Sequence, residues 1–148
     1  MKAPAMRALV TGASGGIGRA LARELHRRGA SVLLVGRDPQ ALESAAQDLG
    51  GRSTRVEYCA ADLATAEGRK RVTETARNWG GHGINVLVNN AGIGDFGLLE
   101  QLDDAAVERL FAINAIAPIQ LTRALLGHLR TQPDAAILNV GSVFGSLG

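Results

Sequence analysis

The sequence predicts an α/β protein with a doubly wound parallel sheet of five strands. Two observations carry this prediction: short apolar runs recur from residue 7 to residue 141, and between them apolar residues recur at helical spacing. Strands that alternate with helices are typical of parallel βαβ units joined by right-handed crossovers. A chain of 148 residues is long enough to bury a sizeable core. We therefore expect one domain over 1–148, with strand order 3-2-1-4-5.

Three strands and two helices are predicted in the first part of the chain. The strands are the apolar runs 7–11, 31–36 and 55–61. The first helix follows the glycines after residue 11 and ends at Gly29. Asp38 and Pro39 begin the second helix as an N-cap followed by a first-turn proline, and Gly50 and Gly51 end it.

The same alternation continues to the last predicted strand. Thr65 is placed to cap the third helix, and the runs 84–88 and 135–141 are the fourth and fifth strands. A long helix is predicted from about 103 to 130. Its apolar stripe consists of Val107, Leu110, Phe111, Asn114, Pro118, Leu121 and Leu125. This stripe predicts that Asn114 faces the sheet, where an unpaired amide costs about 1–3 kcal/mol.

Composition bounds the classes of function. The net charge is +2 and only 3% of residues are aromatic, with basic residues scattered among acids, so a nucleic-acid surface is not indicated. The single cysteine, Cys59, excludes an internal disulfide and is interpreted as a small apolar strand residue. Neither a secretory signal nor a membrane span is evident, so we expect a cytoplasmic protein. His26, His82 and His128 lack partners at metal-ligand spacing; we assign no metal and expect surface positions.

The stretch LVTGASGGIGRAL, residues 9–21, places four glycines between the first strand and its helix. They are Gly12, Gly15, Gly16 and Gly18. Glycines allow a sharp turn and the close approach of a pyrophosphate, and a helix N-terminus offers N–H donors and a positive dipole end. In a doubly wound sheet this turn lies at the carboxyl edge, where ligands bind. A tight turn without a ligand is the structural alternative.

The glycine spacing T-G-x-x-x-G-x-G resembles the classical short-chain dehydrogenase/reductase family rather than the common G-x-G-x-x-G fingerprint. Other segments occur in the family's order. They are Asp62-Leu63 after strand three, NNAG at 89–92, Asn114 in the long helix and NVGS at 139–142. Together the five sites cover nearly the whole chain.

This resemblance implies a Rossmann-type domain that binds a nicotinamide dinucleotide. The implied cofactor-binding residues are Gly12, Ser14, Gly16, Ile17, Gly18, Arg37, Asp62, Leu63, Asn90, Ala91 and Gly92. In the family, the residue matching Asp62 meets the adenine ring, and the NNAG segment ties the sheet together and lies near the nicotinamide ribose. A cap for the next helix is the alternative role for Asp62.

The end of strand two favours NADP over NAD. NAD sites usually carry an acid there, whereas here Gly36 stands in its place and Arg37 follows, able to grip a 2′-phosphate. Asp38 is better explained as an N-cap. Many NADP-using relatives have a second basic residue where this chain has Gly15, so Arg37, helped by the Ser14 hydroxyl, carries most of the discrimination. The alternative is that Arg37 is merely an exposed solubilising residue.

Ser142 and Asn114 match catalytic positions of the family. The serine orients and polarises a substrate carbonyl, and the asparagine's backbone carbonyl holds a water in a proton relay. Pro118 has no N–H, so we expect it to keep that carbonyl free; a tolerated proline kink is the alternative. The family's Y-x-x-x-K motif would fall beyond Gly148, and Tyr58, in strand three, cannot replace its tyrosine.

Two functions from different classes follow. The first is an NADP(H)-dependent oxidoreductase that interconverts a carbonyl and an alcohol in a small-molecule substrate. The second is a catalytically incomplete nucleotide-binding module or remnant of such an enzyme. By resemblance we also expect a homodimer or homotetramer in the full-length form; the chain is either the retained part of a longer reductase, the interpretation we favour, or a true short form that can at most bind nucleotide.

Overall fold

The computed structural model describes residues 5–94 and 98–142. Within them lies a parallel sheet with the order β3-β2-β1-β4-β5. Its strands are β1 (Arg7–Thr11), β2 (Ser31–Gly36), β3 (Val56–Ala60), β4 (Val86–Asn89) and β5 (Ala136–Asn139). The predicted fold class and strand order are confirmed, and the bounds of the first two strands agree at both ends.

Five α-helices connect and cover these strands in the described residues. They are α1 (Gly16–Arg27), α2 (Pro39–Gln47), α3 (Ala66–Asn78), α4 (Asp104–Phe111) and α5 (Ala117–Leu129). A π-helical turn, Ala112–Ile116, joins α4 to α5, and short 3₁₀ turns occupy Trp79–Gly81 and Leu99–Gln101. The two helices and the turn together form the long helix that the sequence predicted.

Side chains cap three of these helices. The Asp38 carboxylate accepts hydrogen bonds from the N–H groups of Gln40, at 2.9 Å, and Ala41, at 3.3 Å. The Thr65 hydroxyl accepts from Gly68 N–H at 3.0 Å, and Asp103 accepts from Ala106 N–H at 2.7 Å. The predicted caps Asp38 and Thr65 are therefore confirmed, and each satisfies a donor in a first helical turn.

The central strands β1, β2 and β4 are largely buried on both faces, as strands of parallel sheets are, whereas β5 is exposed along its length. Leu9, Leu33 and Leu87 point to the face covered by α3 and α5. Val10 and Leu34 point to the opposite face, against α1 and α2. The alternation along β1 and β2 thus fills two cores and holds the carboxyl ends of the central strands in a fixed arrangement.

The predicted apolar stripe of the long helix is partly wrong. Phe111 is 63% exposed and Asn114 is exposed rather than facing the sheet. Leu121 and Leu125 are buried as predicted, but before them the buried line passes through Ile113 and Ala117 instead of Asn114 and Pro118. The cause is the π-helical turn, in which Ala117 N–H donates to the Ala112 carbonyl five residues earlier. One inserted residue rotates the preceding segment by about 100° relative to a regular α-helix.

Two histidines differ from the expected surface positions. His26 Nδ1 lies 3.1 Å from the Ala30 carbonyl oxygen, and His128 Nε2 lies 2.9 Å from that of Ile84. Both residues are half-buried and stand on the last turn of a helix, and each ring contacts the backbone just before a strand, β2 for His26 and β4 for His128. His82 is exposed, as predicted.

Strand β3 contains both Tyr58 and Cys59. The Arg52 guanidinium lies 4.9 Å from the centroid of the Tyr58 ring. Cys59 is buried, and this burial raises the pKa of its thiol, which fits its interpretation as a small apolar strand residue.

The continuous helical segment Asp104–Leu129 is long and apolar enough to cross a membrane when judged by length and composition alone. This departs from the expectation that no segment approaches a membrane span. The indication is weak, because core helices of soluble proteins pass the same test.

Candidate functional site

The turn between β1 and α1 is closed by two glycines. Gly12 has φ of +65°, and a Cβ there would lie 2.9 Å from the Ala91 Cα. A Cβ on Gly18 would lie 2.2 Å from the Gly12 carbonyl oxygen and 2.5 Å from Asn90 Nδ2. Only glycine fits these two positions, since a larger residue would push α1 and the segment after β4 away from the turn.

The other two glycines of the turn face open space. No described atom lies within 4 Å of a Cβ built on Gly15 or Gly16. Among the described residues, no side chain caps α1, which begins at Gly16 without an acid in its first turn. The start of α1 therefore presents N–H donors and a positive dipole end to the space above the turn.

Strand β4 is tied to this turn through Thr11 and Asn90. The Thr11 hydroxyl accepts from the N–H groups of Asn90 and Ala91, both at 2.9 Å, and donates to the Val88 carbonyl at 3.2 Å. Asn90 Nδ2 donates to the Thr11 carbonyl at 2.9 Å. The NNAG segment and the glycine turn thus form one unit at the carboxyl edge of the sheet.

A cavity of about 240 Å³, here called the turn cavity, opens beside this unit. Seven of the predicted residues line it: Gly12, Ser14, Arg37, Asp62, Leu63, Ala91 and Gly92. The sequence analysis did not predict the other lining residues as part of the site. They are Gly15, Gly36, Ala61, Ile93 and Ile113. The ends of β1, β2, β3 and β4 meet around this cavity.

A second cavity, of about 380 Å³, adjoins the first and is called the Ser142 cavity. It is lined by the predicted residues Ile17, Asn90, Ala91, Gly92, Asn114 and Ser142, together with Ile93, Val140 and Gly141. The two cavities share Ala91, Gly92 and Ile93 and so form a continuous groove along the carboxyl edge. Gly16 and Gly18, also predicted, line neither cavity.

The end of β2 carries no acid. Gly36 is buried, and a Cβ there would lie 3.3 Å from Ser14 Oγ and 3.3 Å from Leu42 Cδ2. Arg37 follows and is exposed at the mouth of the turn cavity. The carboxylate of Asp38 is occupied by the first turn of α2.

Asp62 has an unforeseen partner. Arg109 Nη2, from α4, donates to Asp62 Oδ2 at 3.1 Å and to Oδ1 at 3.3 Å. Oδ1 also accepts from Ala64 N–H at 3.0 Å, within the loop before α3, whose N-cap is Thr65 and not Asp62. Partial burial raises the pKa of the Asp62 carboxyl, but the Ala64 N–H and the Arg109 guanidinium outweigh it and hold the pKa below its usual value.

Asn114 clamps the loop that follows β4. Its Oδ1 accepts from Ile93 N–H and its Nδ2 donates to the Ile93 carbonyl, both at 2.8 Å. The side chain therefore satisfies both of its amide groups on a backbone segment, not in the core. Pro118 stands four residues later and has no N–H to offer the Asn114 carbonyl.

A larger cavity, of about 670 Å³, lies between α5 and β5 and adjoins the Ser142 cavity, with which it shares Ala91, Asn114 and Val140. Of the predicted cofactor-binding and catalytic residues, Ala91 and Asn114 line it, and Pro118 lines it as well. Asn89 Nδ2 donates to Asn139 Oδ1 at 2.9 Å and so links β4 to β5 here. The buried Asn89 Oδ1 has no partner among the described residues.

Comparison with known proteins matches the short chain dehydrogenase family model over residues 6–148. Nodulation protein G of Rhizobium sp. (strain N33) is 39% identical over 142 residues, which cover 96% of this chain and 56% of that protein. The chain belongs to the short-chain dehydrogenase/reductase family. It spans little more than half the length of the curated relatives it matches.

Solved structures of this family share the fold. The bulky-bulky ketone specific alcohol dehydrogenase of Comamonas testosteroni superposes with a TM-score of 0.88 at 31% identity, covering 97% of this chain and 57% of that one. The L-sorbose reductase of Gluconobacter frateurii, solved with NADPH and L-sorbose, gives 0.87 at 33% identity, covering 97% and 54%.

In this short-chain dehydrogenase/reductase, Ser142 lies three residues beyond β5 and is exposed at the carboxyl edge. It shares the Ser142 cavity with Asn114. The family's Y-x-x-x-K motif does not occur in the 148 residues, whose one tyrosine is Tyr58. Residues 143–148 lie outside the described part of the chain.

Proposed function

We propose that this protein binds NADP(H) along the groove formed by the turn cavity and the Ser142 cavity and interconverts a carbonyl and an alcohol. The observation that carries the proposal is the convergence of the glycine turn, Arg37 and Asp62 on one cavity at the carboxyl ends of four strands. Ligands of doubly wound sheets bind at this edge.

The residues present fit a dinucleotide. The open space above Gly15 and Gly16, facing the start of α1, suits a pyrophosphate. Leu63 and Ile113 offer apolar contacts in the turn cavity and Asp62 offers an acceptor, which suits adenosine. The Ser142 cavity is then left for the nicotinamide end and the substrate. The nicotinamide supplies or accepts the hydride when bound.

The end of β2 favours NADP. Gly36 supplies no carboxylate to repel a 2′-phosphate, Arg37 supplies a charged donor beside Ser14, and Asp38 is held by α2. The likeness to L-sorbose reductase, solved with NADPH, supports the same choice.

Two groups of this chain act at the reacting end. The Ser142 hydroxyl donates to the substrate carbonyl and orients it for hydride transfer. The Asn114 backbone carbonyl, deprived of its i+4 donor by Pro118, holds a water for proton transfer. The Asn114 side chain meanwhile fixes the loop at Ile93 between the two cavities.

The test of the cofactor is a fluorescence titration with NADPH and NADH on the wild type and on Arg37→Ala. Loss of a charge-assisted hydrogen bond weakens NADPH binding about 10- to 100-fold in Arg37→Ala and leaves NADH within about twofold. Arg23→Ala is the matched control, because Arg23 of α1 pairs with Asp48 at the end of α2 and lines neither cavity. Equal affinities of the wild type for the two cofactors, or unchanged NADPH binding by Arg37→Ala, contradicts the proposal.

The test of the reaction is NADPH consumption with a panel of ketones and aldehydes. Carbonyl-dependent loss of NADPH absorbance supports the oxidoreductase. Tight NADPH binding with no consumption across the panel favours a nucleotide-binding module instead.

A further inference from the structure

Arg109 links an otherwise weakly buried helix to the turn cavity. One of its nitrogens, Nη2, donates to both carboxylate oxygens of Asp62. Of the eight residues that the structure describes in α4, none is buried. The ion pair, with both side chains 36% exposed, is therefore a specific contact between this helix and the wall of the cavity.

The contact fixes the direction of the Asp62 carboxylate. Oδ1 accepts from Ala64 N–H on its own loop and from Arg109 on α4, so donors from two elements hold the group. Among the described residues, Oδ2 accepts from Arg109 alone. An ionised carboxylate oxygen accepts about two hydrogen bonds, so Oδ2 retains acceptor capacity at the cavity wall.

An ionised carboxylate accepts hydrogen bonds but cannot donate them. Held in this direction, Asp62 favours a base that presents an N–H donor and disfavours one that presents a carbonyl oxygen at the same place. Adenine carries an exocyclic amine, whereas hypoxanthine carries a carbonyl oxygen there. A carboxylate free to rotate would discriminate less, because it could turn away from an unfavourable base.

We propose that Arg109 is a positioning residue for the base of the bound dinucleotide: it fixes Asp62 as an acceptor and so makes the turn cavity select a base with an exocyclic amine. This inference rests on the proposed dinucleotide function. Arg109 acts through Asp62 and is not itself required to touch the ligand.

The test compares NADPH with its hypoxanthine analogue by fluorescence titration. In the wild type we expect NADPH to bind more tightly by about fivefold or more, the equivalent of one retained hydrogen bond. In Arg109→Ala this preference falls to within about twofold, mainly through weaker NADPH binding. Arg109→Lys restores part of it, because lysine returns the charge without the planar fork.

Three further variants control the test. Arg23→Ala removes another exposed arginine–carboxylate pair, between α1 and the end of α2, and should leave the base preference unchanged. Arg109→Gln keeps part of the side chain and an uncharged N–H donor, and its base preference is measured if the Arg109→Ala variant does not fold. Asp62→Asn should abolish the preference, and adding Arg109→Ala to it should change nothing further.

Equal weakening of both analogues in Arg109→Ala would mean that the pair only docks α4 and would overturn the inference. So would a wild type without base preference, or an Arg109→Ala variant that retains the full preference. A wild type that binds neither dinucleotide overturns the proposed function itself, and this outcome is distinct from the others.

Discussion

The four glycines of the first turn have two different physical tasks. Gly12 and Gly18 are fixed by contact, since a Cβ on either would come within 3 Å of backbone atoms. Gly15 and Gly16 face open space, where backbone N–H groups are accessible to an anion. Gly16 also has φ of +52°, which strains any larger residue, so Gly15 is the one position of the four where substitution should act on binding without acting on folding.

Gly18→Ala and Gly15→Ala test this division. A methyl group at Gly18 overlaps the Gly12 carbonyl, and overpacking of this kind lowers the free energy of unfolding by about 1–3 kcal/mol. Gly15 has φ of −165°, so alanine fits there without strain. The free energy of unfolding of the Gly15→Ala variant should therefore stay within about 0.5 kcal/mol of the wild type, while its NADPH binding weakens. Urea unfolding and NADPH titration of both variants measure the two effects, and equal loss of stability in both contradicts the assignment.

At the scale of elements, the sequence predicted the sheet better than the long helix. The strands could be predicted because each is a short apolar run bounded by glycine or a cap such as Asp38. The π-helical turn could not be predicted. Its i→i+5 bond rotates every preceding side chain of the helix, and the only local sign of it in the sequence is Pro118. Asn114 was recognised as important, but its contact with Ile93 depends on a loop 21 residues earlier in the chain.

The partner of Asp62 was missed for a similar reason. Arg109 is one of several arginines on predicted helices, and nothing in its spacing distinguishes it from the others. Arg109 and Asp62 are 47 residues apart in the sequence, and the fold brings them together by placing α4 beside the loop that follows β3. Motif spacing identifies groups that meet a ligand; it does not identify groups that hold them in place.

Pro118→Ala tests the helix break. The variant returns an N–H to the position that would bond the Asn114 carbonyl, so the helix should be no less stable than in the wild type. We expect NADPH affinity to stay within about twofold and carbonyl reduction to slow by about tenfold or more as the relay water loses its acceptor. Thermal unfolding, cofactor titration and turnover measure these effects, with Pro133→Ala as the exposed-proline control. Unchanged turnover would remove Pro118 from the mechanism.

At the scale of the whole molecule, the strand order explains why one groove can hold a dinucleotide. The central strands β2, β1 and β4 end together, and the chain leaves them in opposite directions, toward β3 on one side and β5 on the other. The helices that follow therefore part above β1 and leave a cleft. The turn cavity lies toward β3 and the Ser142 cavity lies toward β5, which is the order that the proposed binding of adenosine in the first and nicotinamide in the second needs.

The structure of the NADPH complex tests this arrangement most directly. The account predicts electron density for adenine beside Asp62, for the 2′-phosphate beside Arg37, for the pyrophosphate over residues 12–16, and for nicotinamide in the Ser142 cavity. NADPH bound instead in the larger cavity between α5 and β5, or in the opposite direction along the groove, would contradict it.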